Sequence, residues 1–205
     1  MSYTNRISFH VGCSLIGLYC SILSDTIIIC SVANCIPTLV QQKIDGSDFF
    51  NRSWAEYKVG FNDTRGNFWL GNDLLHQLTT NGRYKLRFDL RDRNGSWYYA
   101  EYSTFIVSSE ASNYKIQVSG YSGNSYGDAF SWSDGMMFTT YDRDNDRWNF
   151  SPEKRNCAVS YGGGFWYNSC TLANVNGALG RGDGFRWHAN GRYIHLQTSR
   201  IWLTC

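Results

Sequence analysis

The chain has 205 residues and a formal net charge of +2, with acidic and basic side chains interspersed. That length suits one domain with a substantial core and leaves no room for a second, and there is no basic stripe of the kind that marks a nucleic-acid partner. Aromatic residues make up 17%, with 20 glycines and only 2 prolines, which suits a loop-rich fold held by large flat side chains and bonds between loops.

The seven cysteines, Cys13, Cys20, Cys30, Cys35, Cys157, Cys170 and Cys205, leave at least one outside any pair within the chain. Disulfides among them require an oxidising compartment. Sequons at Asn51, Asn62, Asn94 and Asn149 agree with a secreted, extracellular glycoprotein.

Residues 1–37 form an atypical N-terminal segment. Arg6 precedes an apolar run from Phe9 to Leu23, Asp25 interrupts it, and a second run ends in Ser31-Val32-Ala33, which reads as a small-residue cleavage site. The expectation is a cleaved signal sequence. A membrane anchor is disfavoured because Asp25 near its middle would cost about 3 kcal/mol, and an aberrant start is the third reading.

The domain proper is assigned to 38–205. Ser53 caps a short helix over Trp54–Val59, with Glu56 completing a capping box and Gly60 ending it. Asn72 or Asp73 opens a second helix through Leu74, Leu75 and Leu78, stopped at Asn81-Gly82. Tyr84, Leu86, Phe88 and Leu90 alternate with charged residues as a half-buried strand. Asn94-Gly95 turns the chain into a strand from Trp97 to Val107, and Tyr114–Val118 completes an antiparallel meander. From Gly120 onward long periodicity fades, and binding residues are expected on these loops.

Tyr141 to Cys170 is the chemically dense stretch. Asp142, Asp144 and Asp146 place carboxylates at alternate positions, which repel one another unless a hard cation such as Ca²⁺ lies between them. The competing reading is a solvated turn in which Arg143 and Arg147 pair with the acids. An EF-hand is rejected: Glu153 falls at the twelfth position, but Arg147 stands where the sharp turn needs Gly, and amphipathic flanking helices are lacking. Cys157 and Cys170 bracket Gly162-Gly163-Gly164 and Phe165-Trp166-Tyr167, a short loop that a disulfide between them would close.

TYDRDND, then NCAVSYGGGFWYNSC, then LANVNG resemble the signature of the fibrinogen C-terminal globular domain, the domain of fibrinogen chains, ficolins, tachylectins, angiopoietins and tenascins. The resemblance extends upstream through IDGSDFFNRSWAEYKVGF, GNFWLGNDLLHQLT and YKLRFDLRDRNGSWYYAEYSTFIV, about three quarters of the chain in family order. It departs at the start, where Cys35-Ile36-Pro37 stands in place of a Gly-Gly-Trp turn, so the core is expected to lack its usual first strands. The fold it implies is α+β: a twisted antiparallel sheet, short helices and a loop-rich C-terminal calcium- and ligand-binding subdomain.

Carried over by motif, the calcium ligands are the carboxylates of Asp144 and Asp146 and the carbonyls of Trp148 and Phe150, although extra residues lie between Asp146 and Cys157. The resemblance also implies a Cys157–Cys170 disulfide and a cis Ser169-Cys170 bond. In acetyl-binding relatives a pocket corresponds to Tyr161, Thr171, Arg181, Gly182 and Tyr193, but here Thr171 replaces a His, Arg181 an aromatic and Gly182 an Ala. Arg181 offers a planar cation suited to carboxylate or sulfate.

No nucleophile motif or metal-spaced histidine set points to an enzyme. The expectation is a calcium-stabilised extracellular module, lectin-like and suited to innate recognition, binding glycan or protein; the alternative is an adhesion or signalling domain of angiopoietin or tenascin type. Arg181-Gly182-Asp183 is the tripeptide integrins recognise, and is read here as an accident of the loop that Asp183-Gly184 continues.

Overall fold

The structure is a computed structural model and describes residues 19–24, 27–31, 36–80, 84–149, 156–181 and 184–205. Two strands, β1 (Tyr19–Ser24) and β2 (Ile27–Ser31), pair antiparallel with Cys20 opposite Cys30. The chain ahead of residue 38 is therefore not devoid of strands. The expected cleavage site at Ser31-Val32-Ala33 falls, apart from the backbone of Ser31, outside the described residues.

The remaining elements in chain order are β3 (Thr38–Lys43), α1 (Trp54–Val59), β4 (Phe61–Asn62), β5 (Phe68–Trp69), α2 (Asn72–Thr79), β6 (Lys85–Asp92), β7 (Trp97–Val107), β8 (Ile116–Gly123), α3 (Cys157–Tyr161), β9 (Ala173–Asn174), β10 (Arg186–Ala189) and β11 (Arg192–Thr204). An antiparallel sheet runs in the order β4-β5-β3-β11-β6-β7-β8, and β9 and β10 branch from the start of β11. No helix among the described residues is long and apolar enough to cross a membrane.

Local chemistry explains the first half. Ser53 accepts from the Glu56 amide while the Glu56 carboxylate accepts from the Ser53 amide, a capping box that starts α1. On β6, Leu86, Phe88 and Leu90 are buried and the charged residues between them are half exposed. Helix α2 begins at Asn72, but the cap position is Gly71 and carries no side-chain bond; Asn72 is buried and accepts from the Trp69 indole instead. The third strand of the meander starts at Ile116, later than the alternation suggests, because Asn113 and Tyr114 both take positive φ (53° and 49°) after a 3₁₀ turn.

Burial of aromatic rings joins the sheet to the C-terminal loops. Trp166 lies with its ring centroid 5.0 Å from Phe138, 6.0 Å from Phe105 and 6.1 Å from Trp69. Its indole donates to the Tyr114 carbonyl at 2.7 Å. Tyr57 of α1 bridges two distant segments: its hydroxyl donates to the Phe50 carbonyl and accepts the Gly164 amide. A Cβ at Gly164 would stand 2.6 Å from the Tyr57 ring, so that close approach needs glycine.

Candidate functional site

The three alternating aspartates separate in the folded chain. Asp142 turns to α1, where it accepts the Trp54 amide at 2.9 Å and the Thr140 hydroxyl at 2.7 Å. It therefore satisfies a helix N-terminus 88 residues away in sequence. Asn145 anchors the loop from below, donating to the Phe138 carbonyl and, through its amide, to the Thr139 hydroxyl.

Asp144 and Asp146 remain together. An Asp144 oxygen accepts the Asp146 amide at 3.2 Å, and the Asp146 carboxylate takes the amides of Trp148 (2.8 Å) and Cys157 (2.7 Å). Burial raises the Asp146 carboxyl above the ordinary carboxylate range; the two amides oppose that, and the neighbouring Asp144 charge adds to it. Trp148 is half-buried against the core, whereas Phe150 lies outside the described residues. Among the described residues no three His, Cys, Asp or Glu side chains converge.

The segment after this loop is pinned at both ends. Cys157 and Cys170 are disulfide-bonded with their Cα atoms 5.7 Å apart, and the Ser169-Cys170 peptide is cis. Asn156 caps α3 by accepting the Val159 amide and also donates to the Thr140 carbonyl, tying the helix to the acidic loop. Cys205 is disulfide-bonded too, while Cys13 and Cys35 lie outside the described residues.

The expected pocket residues fall into two neighbourhoods. Tyr161 ends α3, stacks on buried Tyr167 with centroids 6.2 Å apart, and its carbonyl accepts the Ala178 amide. Arg181 lies over Gly162 in the same neighbourhood, exposed and 3.7 Å from the Asp48 carboxylate. Gly182 and Asp183 lie outside the described residues. Thr171 is buried, and its hydroxyl donates to the Ala173 carbonyl at 2.6 Å, turned inward.

Tyr193 is 47% exposed and stands in a cluster that sequence reading did not anticipate. The register of β10 and β11 sets Arg186 opposite His195 and His188 opposite Tyr193, which puts all four side chains on one face of the hairpin. The His188 ring stacks on Tyr193 at 4.0 Å, His195 lies 5.9 Å away on the same ring, and the Arg186 guanidinium is 5.5 Å from its centroid. Arg186 also reaches the Thr171 carbonyl at 3.5 Å, linking the two expected residues. The available signal was Asn190-Gly191, a two-residue hairpin turn that folds 186–189 back on 192–195.

A recess of about 440 Å³ beside Asp48, Arg52, Glu56 and Arg65 adjoins the Arg181 neighbourhood through Asp48. Within it Arg52 pairs with Glu56 at 2.9 Å, while Arg65 pairs with Asp45 at 3.1 Å and Asp48 faces Arg181 at 3.7 Å beyond its lining.

Comparison with known proteins identifies the family of the fold. The family described as fibrinogen beta and gamma chains, C-terminal globular domain, matches residues 20–202. Among curated proteins, the human fibrinogen alpha chain is 42% identical over 181 residues, covering 81% of this chain and 20% of its own length. The Drosophila melanogaster protein scabrous is 38% identical over 164 residues, 80% of this chain and 20% of its own. The chain thus spans about a fifth of these relatives. Among solved structures, the fibrinogen-like globe domain of human ANGPTL2 superposes with a TM-score of 0.71 at 33% identity, covering 94% of this chain and 93% of that domain. A lamprey fibrin D-dimer complexed with the peptide Gly-His-Arg-Pro-amide gives 0.71 at 28% identity, covering 91% and 64%. With the motif residues, the sheet order and these matches in agreement, the chain belongs to the fibrinogen C-terminal globular domain family.

Proposed function

We propose that the chain is a secreted, calcium-stabilised recognition domain that binds an anionic ligand, an acidic sugar or a protein carboxylate, and performs no catalysis. The observation that carries this reading is Tyr193, an exposed aromatic plate flanked by two imidazoles and backed by the Arg186 guanidinium. A sugar or planar group packs against the exposed edge of this ring stack, and a guanidinium favours carboxylate and sulfate oxygens. Arg181 adds a second cation at the other end of the region, with a loose 3.7 Å contact to Asp48 as its ion pair among the described residues. The inward hydroxyl of Thr171 offers little to a ligand, so selectivity for neutral N-acetyl groups is expected to be weak.

The lamprey fibrin structure with a bound peptide favours a protein or peptide as the second reading. A peptide carrying arginine, like that one, would meet Arg181 here and be repelled; an acidic segment fits better. Binding of acidic and neutral sugars, with and without calcium, tests the reading and is taken up in the Discussion.

Calcium is assigned to Asp144 and Asp146 with carbonyls that include Trp148. Two close carboxylates, one of them raised by burial and by its neighbour, are a donor set that a hard cation relieves. The ion would hold the acidic loop against α3, because Asp146 also accepts the Cys157 amide. Calorimetric titration should give a dissociation constant on the order of 10⁻⁴ M or tighter. Calcium at a hundred times that constant should stabilise the fold by about 2.7 kcal/mol. Asp144→Asn, an exposed change, should abolish both effects; heat of binding unchanged in that variant contradicts the assignment.

A further inference from the structure

The polar face of the sheet carries a second cluster of cations and rings, farther along β11 than Tyr193. On β6 the buried Leu86, Phe88 and Leu90 point inward, so Arg87, Asp89 and Arg91 point outward. Beyond its bulge β11 buries Ser199, Ile201 and Leu203, which turns Thr198, Arg200 and Trp202 outward. Pairing then builds two rows across three strands, Arg200-Asp89-Tyr99 and Thr198-Arg91-Trp97.

In this face the Arg87 guanidinium lies 4.5 Å from the Tyr99 ring centroid, and those of Arg91 and Arg200 lie 5.9 and 5.7 Å from the Trp97 ring. Arg87 spends its Nε on Asp89 and Arg200 its Nε on Gln42, each at 2.9 Å. The Nε of Arg91 is buried with no acceptor. Among the described residues the Nη groups of all three have no protein partner; Arg87 and Arg200 line a hollow of about 300 Å³ beside Trp97, itself 48% exposed, and Arg91 lies against the Trp97 ring that borders it.

We propose that this face is a second binding site and that its occupant is a sulfated oligosaccharide. Three guanidinium groups share this face with Asp89 and with Glu101, which stands opposite Arg87 and is met by Lys85 at 3.6 Å, and still leave an excess of forked donors that match sulfate oxygens. Trp97 and Tyr99 between them supply flat apolar surfaces for pyranose rings, so cation and plate alternate as sulfate and ring alternate along the glycan. Asp89 accepts a ring hydroxyl. The hollow is of the smallest ordinary ligand-site size, about 300 Å³, which suits a disaccharide segment of a chain lying across the sheet. An acidic peptide lacks ring faces for the two plates. The site shares no residue with the Tyr193 cluster and stands or falls separately.

The test uses the full chain with three probes: a heparin tetrasaccharide, its desulfated counterpart and a glutamate-rich peptide. The tetrasaccharide should bind, weaken steeply with added salt and shift the Trp97 indole resonance. Arg87→Gln with Arg200→Gln should weaken binding by about a hundredfold, tenfold for each lost charge-assisted contact. Lys115→Gln, an exposed cation outside the face, should leave it unchanged. Equal binding of the desulfated probe or of the glutamate peptide, full binding by the double variant, or an unmoved Trp97 resonance in the wild-type protein overturns the proposal. The last readout needs no substitution and holds even if the double variant folds poorly.

Discussion

Trp166→Ala should destabilise the domain by about 4 kcal/mol, the cost of removing a large ring from a packed core. Trp166 is 2% exposed and touches rings that come from β5, β7 and the segment 130–138 as well as its own loop. No flexible neighbour is free to fill the space, since Phe130, Phe138 and Trp69 are each held by other rings. The loss also orphans the buried Tyr114 carbonyl that accepts its indole. For a chain of this size the melting temperature should fall by roughly 8–16 °C. Trp132→Ala, at a half-exposed indole, should change it by no more than about 0.5 kcal/mol. Thermal unfolding of the two variants side by side checks the contrast, and a similar small shift in both would contradict it.

Opening the Cys157–Cys170 bond by serine at both positions should cost about 3 kcal/mol, the chain-entropy value for a loop of this length. The consequence for function is specific. The bond holds α3 at the place where the Cys157 amide meets Asp146, and it fixes the start of the stretch leading to Thr171. The variant should therefore lose calcium affinity as well as stability. Denaturant unfolding gives the first quantity and calcium titration of the folded fraction the second; retained affinity would show that the acidic loop holds its shape without the disulfide.

Much of the first half was legible because its signals are local. Ser53 and Glu56 lie three apart and form the box that spacing implies, and the β6–β7 turn falls at Asn94-Gly95, although it closes from Asp92 to Ser96 with Gly95 alone at positive φ. The longest strand was missed for a definite reason. In β11 the buried residues are Ile194 and Leu196, then Ser199, Ile201 and Leu203, and a register shift between Leu196 and Thr198 changes the parity midway. A period-two search over Arg192–Thr204 therefore finds two short fragments instead of one strand, although this strand lies at the centre of the sheet.

The site was legible in its types more than in its partners. Three alternating aspartates suggest one shared role, yet Asp142 serves α1 and leaves two carboxylates together; nothing near it in sequence shows the distant Trp54 amide. Arg186 and His188 looked ordinary because their significance is cross-strand: only the β10–β11 register places them beside Tyr193 and His195. The same holds for Tyr57, whose hydroxyl donates to Phe50 and accepts from Gly164, 107 positions away from it.

The most direct measurement of the central claim is binding of the full chain to N-acetylneuraminic acid and to N-acetylglucosamine, in calcium and in chelator. The acidic sugar should bind more tightly and only with calcium present. Tyr193→Ala should weaken it by up to about tenfold, the worth of one aromatic stacking contact, and Arg181→Ala should narrow the preference over the neutral sugar. Equal or tighter binding of N-acetylglucosamine, unaffected by Arg181→Ala, would contradict the anionic-ligand account and make the domain a plain acetyl-group lectin.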